Sequence, residues 1–270
     1  MDEMVDAIRV KPGVAAGLAS RDPRDKLGLA DKAEAAALRD GLGEELGELH
    51  ERLWAEAERS VLLVLQGMDT AGKDSTIRRV LSGLNPQGCQ VASFKVPTEA
   101  ERAQDYLWRV HAVCPPRGQL GVFNRSHYED VLAARMVGVV DGDRCRQRYR
   151  HLREFERMLT EEGTHIVKVF LHISKDEQRE RLQERVDDPV KNGKFKLGDL
   201  DVRKQWDEYQ DLYEEVITET STGEAPWYVV PADRKWVRDV AVESLLVRTM
   251  KALDPKVPPP DPELDGIVVE

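Results

Sequence analysis

Short apolar runs alternate with helical periodicity along most of this chain. Five runs predict strands, at residues 61–65 (VLLVL), 90–96 (QVASFKV), 120–124 (LGVFN), 165–173 (HIVKVFLHI) and 227–230 (WYVV). Helical patterns lie between them, at residues 75–84, 99–110, 143–161 and 175–186. Because strands that alternate with helices form βαβ units, the pattern predicts an α/β fold in three layers, with a parallel five-stranded sheet covered on both faces.

The segments that flank this alternation have different patterns. Residues 1–30 show no clear period, and we expect an irregular arm there. From Asp31 onward apolar residues recur at steps of three and four, which predicts a helix. Gly41, Gly43 and Gly47 weaken this helix, so tertiary packing must hold it. We assign three parts: an arm and helix packed on the core (1–55), the main domain (56–253) and a proline-rich acidic tail (254–270).

Composition narrows the class of protein. The chain has 270 residues, of which 41% are hydrophobic, and a net charge of −10, which argues against a general nucleic-acid binder but not against a local basic groove. The three cysteines are far apart and form no C-x-x-C pair, so we expect a reducing compartment and no zinc site. We see no signal peptide and no apolar run of membrane-spanning length. We therefore expect a cytoplasmic protein without nucleic-acid or membrane partners.

A glycine-framed loop follows the first predicted strand. Residues 65–76 read LQGMDTAGKDST, and within them GMDTAGK matches G-x-x-x-x-G-K, the phosphate loop. Its glycines let backbone N–H groups turn toward phosphate oxygens, and the next helix presents its positive end to the anion. Lys73 adds a mobile charge for a transferred phosphoryl group and is a catalytic candidate. The phosphate-binding candidates are Gly67, Met68, Thr70, Ala71, Gly72, Lys73, Asp74 and Ser75.

Two carboxylates distinguish this loop from the ordinary one. Asp74 takes the place where a serine or threonine normally holds magnesium, and Ser75 follows one position later. Carboxylates beside a phosphate site repel the ligand unless a metal ion lies between them. Asp69 is therefore a catalytic candidate and the first candidate ligand for Mg²⁺, with Mn²⁺ as an alternative ion. For Asp74, a favourable interaction with the helix dipole is an equal alternative.

The third predicted strand is followed by a second polar motif, GVFNRSHYEDVL at residues 121–132. Arg125 stands at the end of the strand, where it can neutralise charge that develops during phosphoryl transfer. Asn124 occupies the usual place of a second carboxylate, and Glu129 could hold metal or accept a hydroxyl, so both are further metal candidates. Alternatively, Arg125 is a structural partner of Glu129, while His127 and Tyr128 pack in the core.

Three long strings resemble polyphosphate kinase family 2, in particular its branch that phosphorylates nucleoside mono- and diphosphates. They are LQGMDTAGKDSTIRRVLSGLNPQGCQVASFKVP, GVFNRSHYEDVLAARM and STGEAPWYVVPADRKWVRD. The resemblance covers nearly the whole chain and implies a P-loop kinase fold, thymidylate-kinase-like, with a helical lid. It also implies Mg²⁺-dependent phosphoryl transfer from inorganic polyphosphate to AMP or ADP, with GMP and GDP as further acceptors, and a homo-oligomer, dimer or tetramer. Asp69, Lys73 and Arg125 match the family's functional positions, and Glu129 matches the branch that accepts monophosphates.

A cation-rich segment follows the fourth predicted strand, SKDEQRERLQERVDDPVKNGKFK at residues 174–196. In kinases of this fold a basic flap at this place closes over phosphates and excludes water. We expect a lid at about 175–205, and a solvated helix with i,i+4 ion pairs is the alternative. Gly193 stands where close relatives tend to carry tryptophan. The lid candidates for polyphosphate binding are Arg179, Arg181, Arg185 and Lys194.

Other basic residues are less specific. Lys95, Arg117 and Arg135 are further candidates for the phosphate path. Asp233 and Arg234 follow the fifth predicted strand, at the edge where ligands collect, although Asp233 could equally cap a helix. Four arginines form a stripe along one predicted helix: Arg146, Arg150, Arg153 and Arg157. We expect this stripe to be an exposed face or a subunit contact, and a binding track for a polyanion is the less favoured alternative.

Two other functions fit parts of this pattern. An ATP-dependent nucleoside monophosphate kinase of the thymidylate-kinase type shares the fold but needs a pocket for the donor base. A nucleotide-switched binding module of the GTPase kind usually shows D-x-x-G and N-K-x-D strings, and neither stands in a suitable place. We therefore favour transfer from polyphosphate.

Overall fold

The protein is described by a computed structural model that covers residues 1–269. Five strands form one parallel sheet in the order β2-β3-β1-β4-β5. They are β1 (Ser60–Gln66), β2 (Cys89–Ser93), β3 (Leu120–Asn124), β4 (Thr164–His172) and β5 (Trp227–Pro231). The predicted α/β fold with a parallel five-stranded sheet is confirmed, although β2 ends at Ser93 instead of residue 96.

Helices precede, connect and follow the strands. They are α1 (Asp2–Ile8), α2 (Lys32–Glu56), α3 (Lys73–Val80), α4 (Glu99–Arg102), α5 (Trp108–His111), α6 (Ala133–Met136), α7 (Gly142–Glu161), α8 (Lys175–Asp187), α9 (Gly198–Lys204), α10 (Trp206–Thr220) and α11 (Lys235–Leu253). Short 3-10 helices span Leu18–Ser20, Pro86–Gly88, His127–Asp130, Asn192–Lys194 and Pro262–Leu264. Among the α-helices, α1, α6, α9, α10 and α11 were not singled out by the sequence pattern, and α1 corrects the expectation that residues 1–30 are irregular throughout.

The pairing of the central strand β1 brings two polar segments together, the loop after β1 and the motif after β3. All residues of β1 are buried, and this strand pairs with β3 on one side and β4 on the other. Leu65 lies opposite Asn124 in this register. Because parallel strands end at the same edge of a sheet, the loop after β1 and the motif after β3 emerge side by side. The two polar motifs predicted from sequence therefore border one site.

The N-terminal segment packs on the same hydrophobic core as the strands. Asp31 caps α2 by accepting hydrogen bonds from the N–H groups of Ala33 and Glu34, and the helix continues through its glycines. It packs along α11, where Arg39 pairs with Glu243 at 2.8 Å. Tertiary packing thus holds the glycine-weakened helix, as expected.

The predicted helix at 99–110 is wrong, because the chain forms two shorter helices there. Thr98 and Glu101 make a capping box that starts α4. Asp105 then accepts hydrogen bonds from the N–H groups of Leu107 at 2.9 Å and Trp108 at 3.1 Å, just before α5 begins. An aspartate that binds the backbone ahead of it competes with continuation of a helix.

The predicted tail begins at Asp254, directly after α11. Pro255 is buried, and the N–H group of Lys256 donates to Glu56 at 3.2 Å, so the first residues lie against the core. From Lys256 to Glu263 the chain is exposed. The predicted tail extends to Glu270, which lies outside the described residues. None of the helices within residues 1–269 is long and apolar enough to cross a membrane.

Candidate active site

The phosphate loop (residues 67–73) connects the end of β1 to the start of α3. Gly67 and Gly72 have φ angles of 151° and 108°, which favour glycine. A Cβ on Gly67 would lie 2.8 Å from the carbonyl oxygen of Leu171, and one on Gly72 would overlap a guanidinium nitrogen of Arg238. Both glycines are therefore required by close neighbours as well as by backbone conformation.

Lys73 places its ammonium group inside the loop. Nζ donates to the carbonyl oxygen of Gly67 at 2.6 Å and to that of Met68 at 3.3 Å. Burial lowers the pKa of Lys73, while the nearby carboxylates of Asp69 and Glu129 oppose the shift. A buried ammonium is stabilised by anionic partners, so this group is suited to bind phosphate oxygens.

Arg125 and Asp69 come together although they lie far apart in sequence. Arg125 follows β3 with a φ of 62°, and its N–H group donates to the carbonyl oxygen of Leu65 at 3.0 Å. Its Nη2 donates to Asp69 Oδ1, also at 3.0 Å. The strand pairing thus brings two predicted catalytic residues into direct contact.

Asp74 and Asn124 form a second pair across the same gap. The Nδ2 group of Asn124 donates to Asp74 Oδ1 at 2.8 Å. Asn124 therefore turns its amide donor toward the carboxylate, and its Oδ1 atom takes no part in this bond. The pair places one carboxylate and one amide beside the phosphate loop.

Glu129 is a partly buried carboxylate near Arg125 and Lys73. It belongs to the short helix His127–Asp130, which Ser126 caps by accepting from the N–H group of Tyr128. Burial raises the pKa of Glu129, although the positive charges of Arg125 and Lys73 oppose this. Burial raises the pKa of Tyr213 on α10 as well, and the carboxylate of Glu129 adds to the effect.

A buried polar cluster supports this motif from behind. Lys168, in the middle of β4, donates to Glu156 at 2.6 Å and to the hydroxyl of Tyr128 at 2.9 Å. His127 Nε2 and the Tyr128 hydroxyl also contact Glu156, at 3.0 and 2.7 Å. The alternative of core packing for His127 and Tyr128 therefore agrees with the structure. A lysine inside an apolar strand was the sequence signal for such a cluster, because a buried charge needs a partner.

An open cleft of about 980 Å³ runs from the phosphate loop between the lid and the end of β2. We call it the cation-lined cleft. Its wall includes Asp69, Thr70, Gly72, Lys73, Asp74, Ser75, Lys95, Asn124, Arg125, Arg181, Arg185 and Lys194 among the predicted residues. The lid, residues 175–204, supplies one side of it. Gly193 has open space where a side chain would project.

Gly67, Met68 and Ala71 belong to the phosphate loop but do not line the cleft, and Glu129 does not line it either. Three predicted phosphate ligands outside the loop lie elsewhere. Arg117 precedes β3 and is therefore at the opposite edge of the sheet from the phosphate loop. Arg135 pairs with Glu215 of α10 at 2.7 Å and borders a separate pocket. Arg179 is exposed on the face of α8 that turns away from the cleft. None of the three contributes to the wall of the cleft, because strand order and helix rotation direct them away from it.

Arg181 reaches the loop, but its donors are already used. Its five N–H groups are directed to Glu177 and to four backbone carbonyls, those of Thr70, Ala71, Ala232 and Asp233. A guanidinium has no further donors. Arg181 therefore fastens the lid helix to the phosphate loop and to the loop after β5, in place of the direct phosphate contact that we predicted.

Asp233 does not cap α11, which was one of the two alternatives for this residue. Its carboxylate accepts from the N–H and hydroxyl groups of Ser174, at 2.8 and 2.7 Å, at the start of the lid helix. It also pairs with Arg24 of the N-terminal arm at 3.2 Å. The predicted arginine stripe lies on α7. One of its members, Arg157, is exposed and pairs with Glu154 and Glu161 of the same helix at 2.6 Å, as expected for an exposed face.

Several cleft residues were missed or left unassigned by sequence reasoning. Lys191 and Lys196 belong to the basic lid string, but Arg78, Lys235 and Arg238 were not considered. Arg78 lies one helical turn beyond Asp74 on α3. Lys235 and Arg238 are three residues apart at the start of α11, directly after the loop that borders the site. Their spacing after a strand end was the available signal.

Comparison with known proteins identifies the family of this chain. A family model described as polyphosphate kinase 2 (PPK2) matches residues 29–258. The AMP/ADP-polyphosphate phosphotransferase of Meiothermus ruber is 56% identical over 229 residues, which are 85% of this chain and 86% of that protein. The ADP-polyphosphate phosphotransferase of Rhodopseudomonas palustris is 46% identical over 231 residues, 81% of this chain and 80% of that protein.

A solved structure agrees over an even larger share of the chain. The crystal structure of polyphosphate kinase 2 from Arthrobacter aurescens TC1 superposes with a TM-score of 0.92 at 43% sequence identity. The match covers 96% of this chain and 93% of that one. Since the family model, the relatives and the solved structure all span most of the sequence, this chain belongs to the polyphosphate kinase 2 family.

Proposed function

We propose that the protein transfers the terminal phosphoryl group of inorganic polyphosphate to AMP and to ADP, reversibly and with magnesium. The observation that carries this proposal is the row of cations along the cleft beyond the phosphate loop. It comprises Arg78, Lys95, Arg185, Lys191, Lys194, Lys196 and Lys235, in addition to Lys73 and Arg125. A linear chain of phosphates needs many cations, whereas one nucleotide triphosphate needs two or three.

The same wall argues against the ATP-dependent alternative. A donor nucleoside requires a pocket with apolar or aromatic surface for its base. Phe94 is the aromatic side chain in the wall of the cleft, and it lies with Val96 at the end of β2. The side formed by the lid and α11 offers Lys191, Lys194 and Lys235 instead. Charge of this density suits a polyanion better than an adenine ring.

Transfer follows from positioning and electrostatics at the loop. Lys73 and Arg125 would contact oxygens of the transferred group, from the loop on one side and from the end of β3 on the other. Both charges offset negative charge that develops as the group leaves the donor and meets the acceptor. Because an in-line displacement between phosphate oxygens needs no protein nucleophile, the proposed mechanism has no covalent intermediate.

Magnesium, or manganese as an alternative ion, is part of the proposal. Mg²⁺ takes one or two protein carboxylates and completes its shell with water and phosphate oxygens. Asp69 fits this donor set, with Asp74 beside it, although residues 1–269 contain no group of three His, Cys, Asp or Glu side chains able to hold a metal. Asn124 and Glu129 remain further candidates. When bound, the ion would supply positive charge that shields the phosphate oxygens near Asp69.

The acceptor is proposed to lie on the side of Glu129. This carboxylate is near Arg125 and Lys73, and the AMP/ADP specificity in the name of the Meiothermus ruber relative supports acceptance of both nucleotides. We extend the proposal to GMP and GDP as weaker acceptors. A homo-oligomer, dimer or tetramer, and a cytoplasmic location complete it.

A donor exchange tests the function. Purified protein with AMP and Mg²⁺ is given either polyphosphate or a nucleoside triphosphate, and products are separated by chromatography. We expect ADP and ATP with polyphosphate. Product only with the nucleoside triphosphate would establish the kinase alternative. Turnover with neither donor, together with nucleotide-dependent binding of another protein, would favour the switch module.

A second experiment tests the acceptor assignment. AMP and ADP are supplied separately to the parent protein and to Glu129→Asn, with polyphosphate as donor. We expect the variant to lose use of AMP more than use of ADP. Asp130→Asn is the matched control, because the neighbouring carboxylate of Asp130 pairs with Arg109 at 3.2 Å, whereas Glu129 is close to Arg125 and Lys73. If AMP use survives in Glu129→Asn, Glu129 does not select the acceptor.

A further inference from the structure

Arg238 is a buried arginine whose donors are only partly used. Its side chain is 2% exposed, and it extends from the first turn of α11 to the wall of the cation-lined cleft. Nε and Nη2 both donate to Asp239 Oδ1, at 2.9 and 2.6 Å. Nη1 is buried and has no hydrogen-bond partner among residues 1–269. A buried charged donor without a partner is costly, so the arrangement calls for an acceptor.

The free nitrogen lies against the phosphate loop. Nη1 occupies the space where a side chain on Gly72 would begin, so a Cβ at that position would overlap it. Gly72 immediately precedes Lys73, the first residue of α3. The guanidinium group is therefore beside the backbone that turns toward phosphate in loops of this type.

The surrounding charges leave a local excess of positive charge. Asp239 is shared, because it also lies 3.9 Å from Arg79. Glu243 is already paired with Arg39. Arg181 is a further positive neighbour of Arg238. The carboxylate of Asp239 is thus close to more than one arginine, and a bound anion at the loop would neutralise the remaining positive charge.

We propose that Arg238 binds a phosphate oxygen of the donor through Nη1, and that Asp239 is a positioning residue that fixes the guanidinium for this contact. This inference rests on the proposed function and adds a ligand on the donor side. Arg238 approaches the loop from α11 and the lid, next to Arg181 and Lys235, whereas Arg125 and Glu129 border the loop from β3. Removal of Arg238 should therefore affect the donor and spare the acceptor.

The test compares Arg238→Gln with the parent in two measurements. Calorimetry with tripolyphosphate measures binding without turnover, and initial rates give KM for polyphosphate and for AMP. We expect tripolyphosphate affinity to fall and KM for polyphosphate to rise, each roughly 10- to 100-fold, because a charge-assisted hydrogen bond is lost. KM for AMP should change less than about twofold. Unchanged tripolyphosphate binding in folded Arg238→Gln would overturn the inference.

Matched variants separate binding from structure. Asp239→Asn keeps an oxygen that accepts from Arg238, so it should lose less donor affinity than Asp239→Ala. Lys251 lies on the same helix and pairs with Glu45. The control variant Lys251→Gln should therefore bind the donor like the parent. If Arg238→Gln fails to fold, Arg238→Lys and Asp239→Ala are measured instead. In these variants too, KM for polyphosphate should rise while KM for AMP changes little. A parallel rise of both KM values would indicate a structural role and contradict the proposal.

Failure of the function and failure of this inference give different results. If the parent protein uses ATP and ignores polyphosphate, the proposed function fails. Calorimetry with ATP then still reports whether Arg238→Gln weakens the triphosphate at the loop. If polyphosphate turnover is confirmed but Arg238→Gln binds tripolyphosphate normally, the inference alone fails.

Discussion

Arg125 adopts a left-handed backbone conformation that non-glycine residues seldom take. Its φ is 62°, and Thr70 in the phosphate loop has a φ of 67°. Such conformations cost of order 1–3 kcal/mol and persist where surrounding contacts hold them. For Arg125 these contacts are the hydrogen bond to Leu65 and the ion pair with Asp69. The strain is concentrated at the two loops that meet at the site.

Arg125→Lys tests the charge placed by this conformation. A lysine keeps the positive charge but lacks the planar fork that contacts Asp69 and a phosphoryl oxygen together. We expect kcat with polyphosphate and AMP to fall roughly 100-fold, the loss typical for one donor to a developing charge. Steady-state rates at saturating substrates measure it. Arg135→Lys, outside the cleft, is the control, and equal rates in both variants would contradict a catalytic role for Arg125.

Glu129→Gln tests the buried carboxyl through the pH dependence of stability. Burial raises the folded-state pKa of Glu129, so the stability due to the protonated form is complete below the unfolded pKa and is lost as pH rises through the folded pKa. Glutamine stays neutral. The free energy of unfolding of the variant, relative to the parent, should therefore increase as pH rises from the unfolded-state pKa of glutamate, about 4.3, through the higher folded-state pKa. Urea unfolding at each pH measures this difference.

A carboxylate with the opposite shift provides the comparison. The hydrogen bond from Arg157 lowers the pKa of Glu154, which is exposed on α7. The ionised form of Glu154 is therefore favoured in the folded protein, and Glu154→Gln should show no such increase with pH. A rise of equal size in both variants would mean that the burial of Glu129 is not its cause.

The lid helix α8 is anchored at one end and exposed at the other. Arg181 and Ser174 fasten its first half to the phosphate loop and to Asp233. Beyond α8 the lid exposes apolar side chains, with Val190 91% and Leu197 78% accessible. We therefore expect closure over a phosphate chain to move the distal part, from Asp188 to Lys204, while the anchored half stays with the loop.

Arg181→Met tests the anchor. Methionine fills similar volume but leaves four backbone carbonyls and Glu177 without their donor. We expect a loss of about 3 kcal/mol in the free energy of unfolding, because buried acceptors without partners are costly. Chemical denaturation measures it. Arg179→Met, on the outward face of the same helix, should change stability by less than about 0.5 kcal/mol. Equal stability of the two variants would contradict the role of Arg181 as an anchor of the lid helix.

At the scale of the whole molecule, acidic surface and basic cleft coexist. The net charge is −10, yet the wall of the cleft gathers most of its charges from lysine and arginine. A low-dielectric cleft focuses such a field, which favours entry of an anionic chain. Behind the sheet a second polar centre, Lys168 with Glu156, joins β4 to α7 and to the motif after β3. The fold is thus held by charge inside as well as by apolar packing.

Lys168→Met tests that inner pair. Lys168 and Glu156 are 0% and 1% exposed at their side chains. Removal of one partner leaves an uncompensated buried charge and should destabilise the protein by roughly 3–5 kcal/mol. The double variant Lys168→Met/Glu156→Gln should recover much of this loss, since no charge is then unpaired. Denaturation curves of the parent, of Lys168→Met, of Glu156→Gln and of the double variant measure the coupling, and additive losses would contradict it.

The strands and the phosphate loop could be predicted because their signals are contiguous. Apolar runs defined all five strands, and residues 67–73 carry the loop within one short segment whose glycine positions follow from local backbone geometry. Asn124 and Arg125 were placed correctly beside it, because their strand was recognised and parallel strands end together. α11 was not recognised, because it is buried on nearly all sides and lacks an amphipathic period.

What the sequence alone determined is therefore the class of fold, the anion-binding loop and its neighbouring motif, each set by local pattern. Only the tertiary structure decided which cations face the cleft. Because of the strand order β2-β3-β1-β4-β5 and the rotation of α8, Arg117, Arg135 and Arg179 lie away from the cleft. Arg181 binds backbone carbonyls of the phosphate loop, and Arg238 packs against Gly72. The physical reason is that the partner of a long side chain depends on distant segments, which no local pattern specifies.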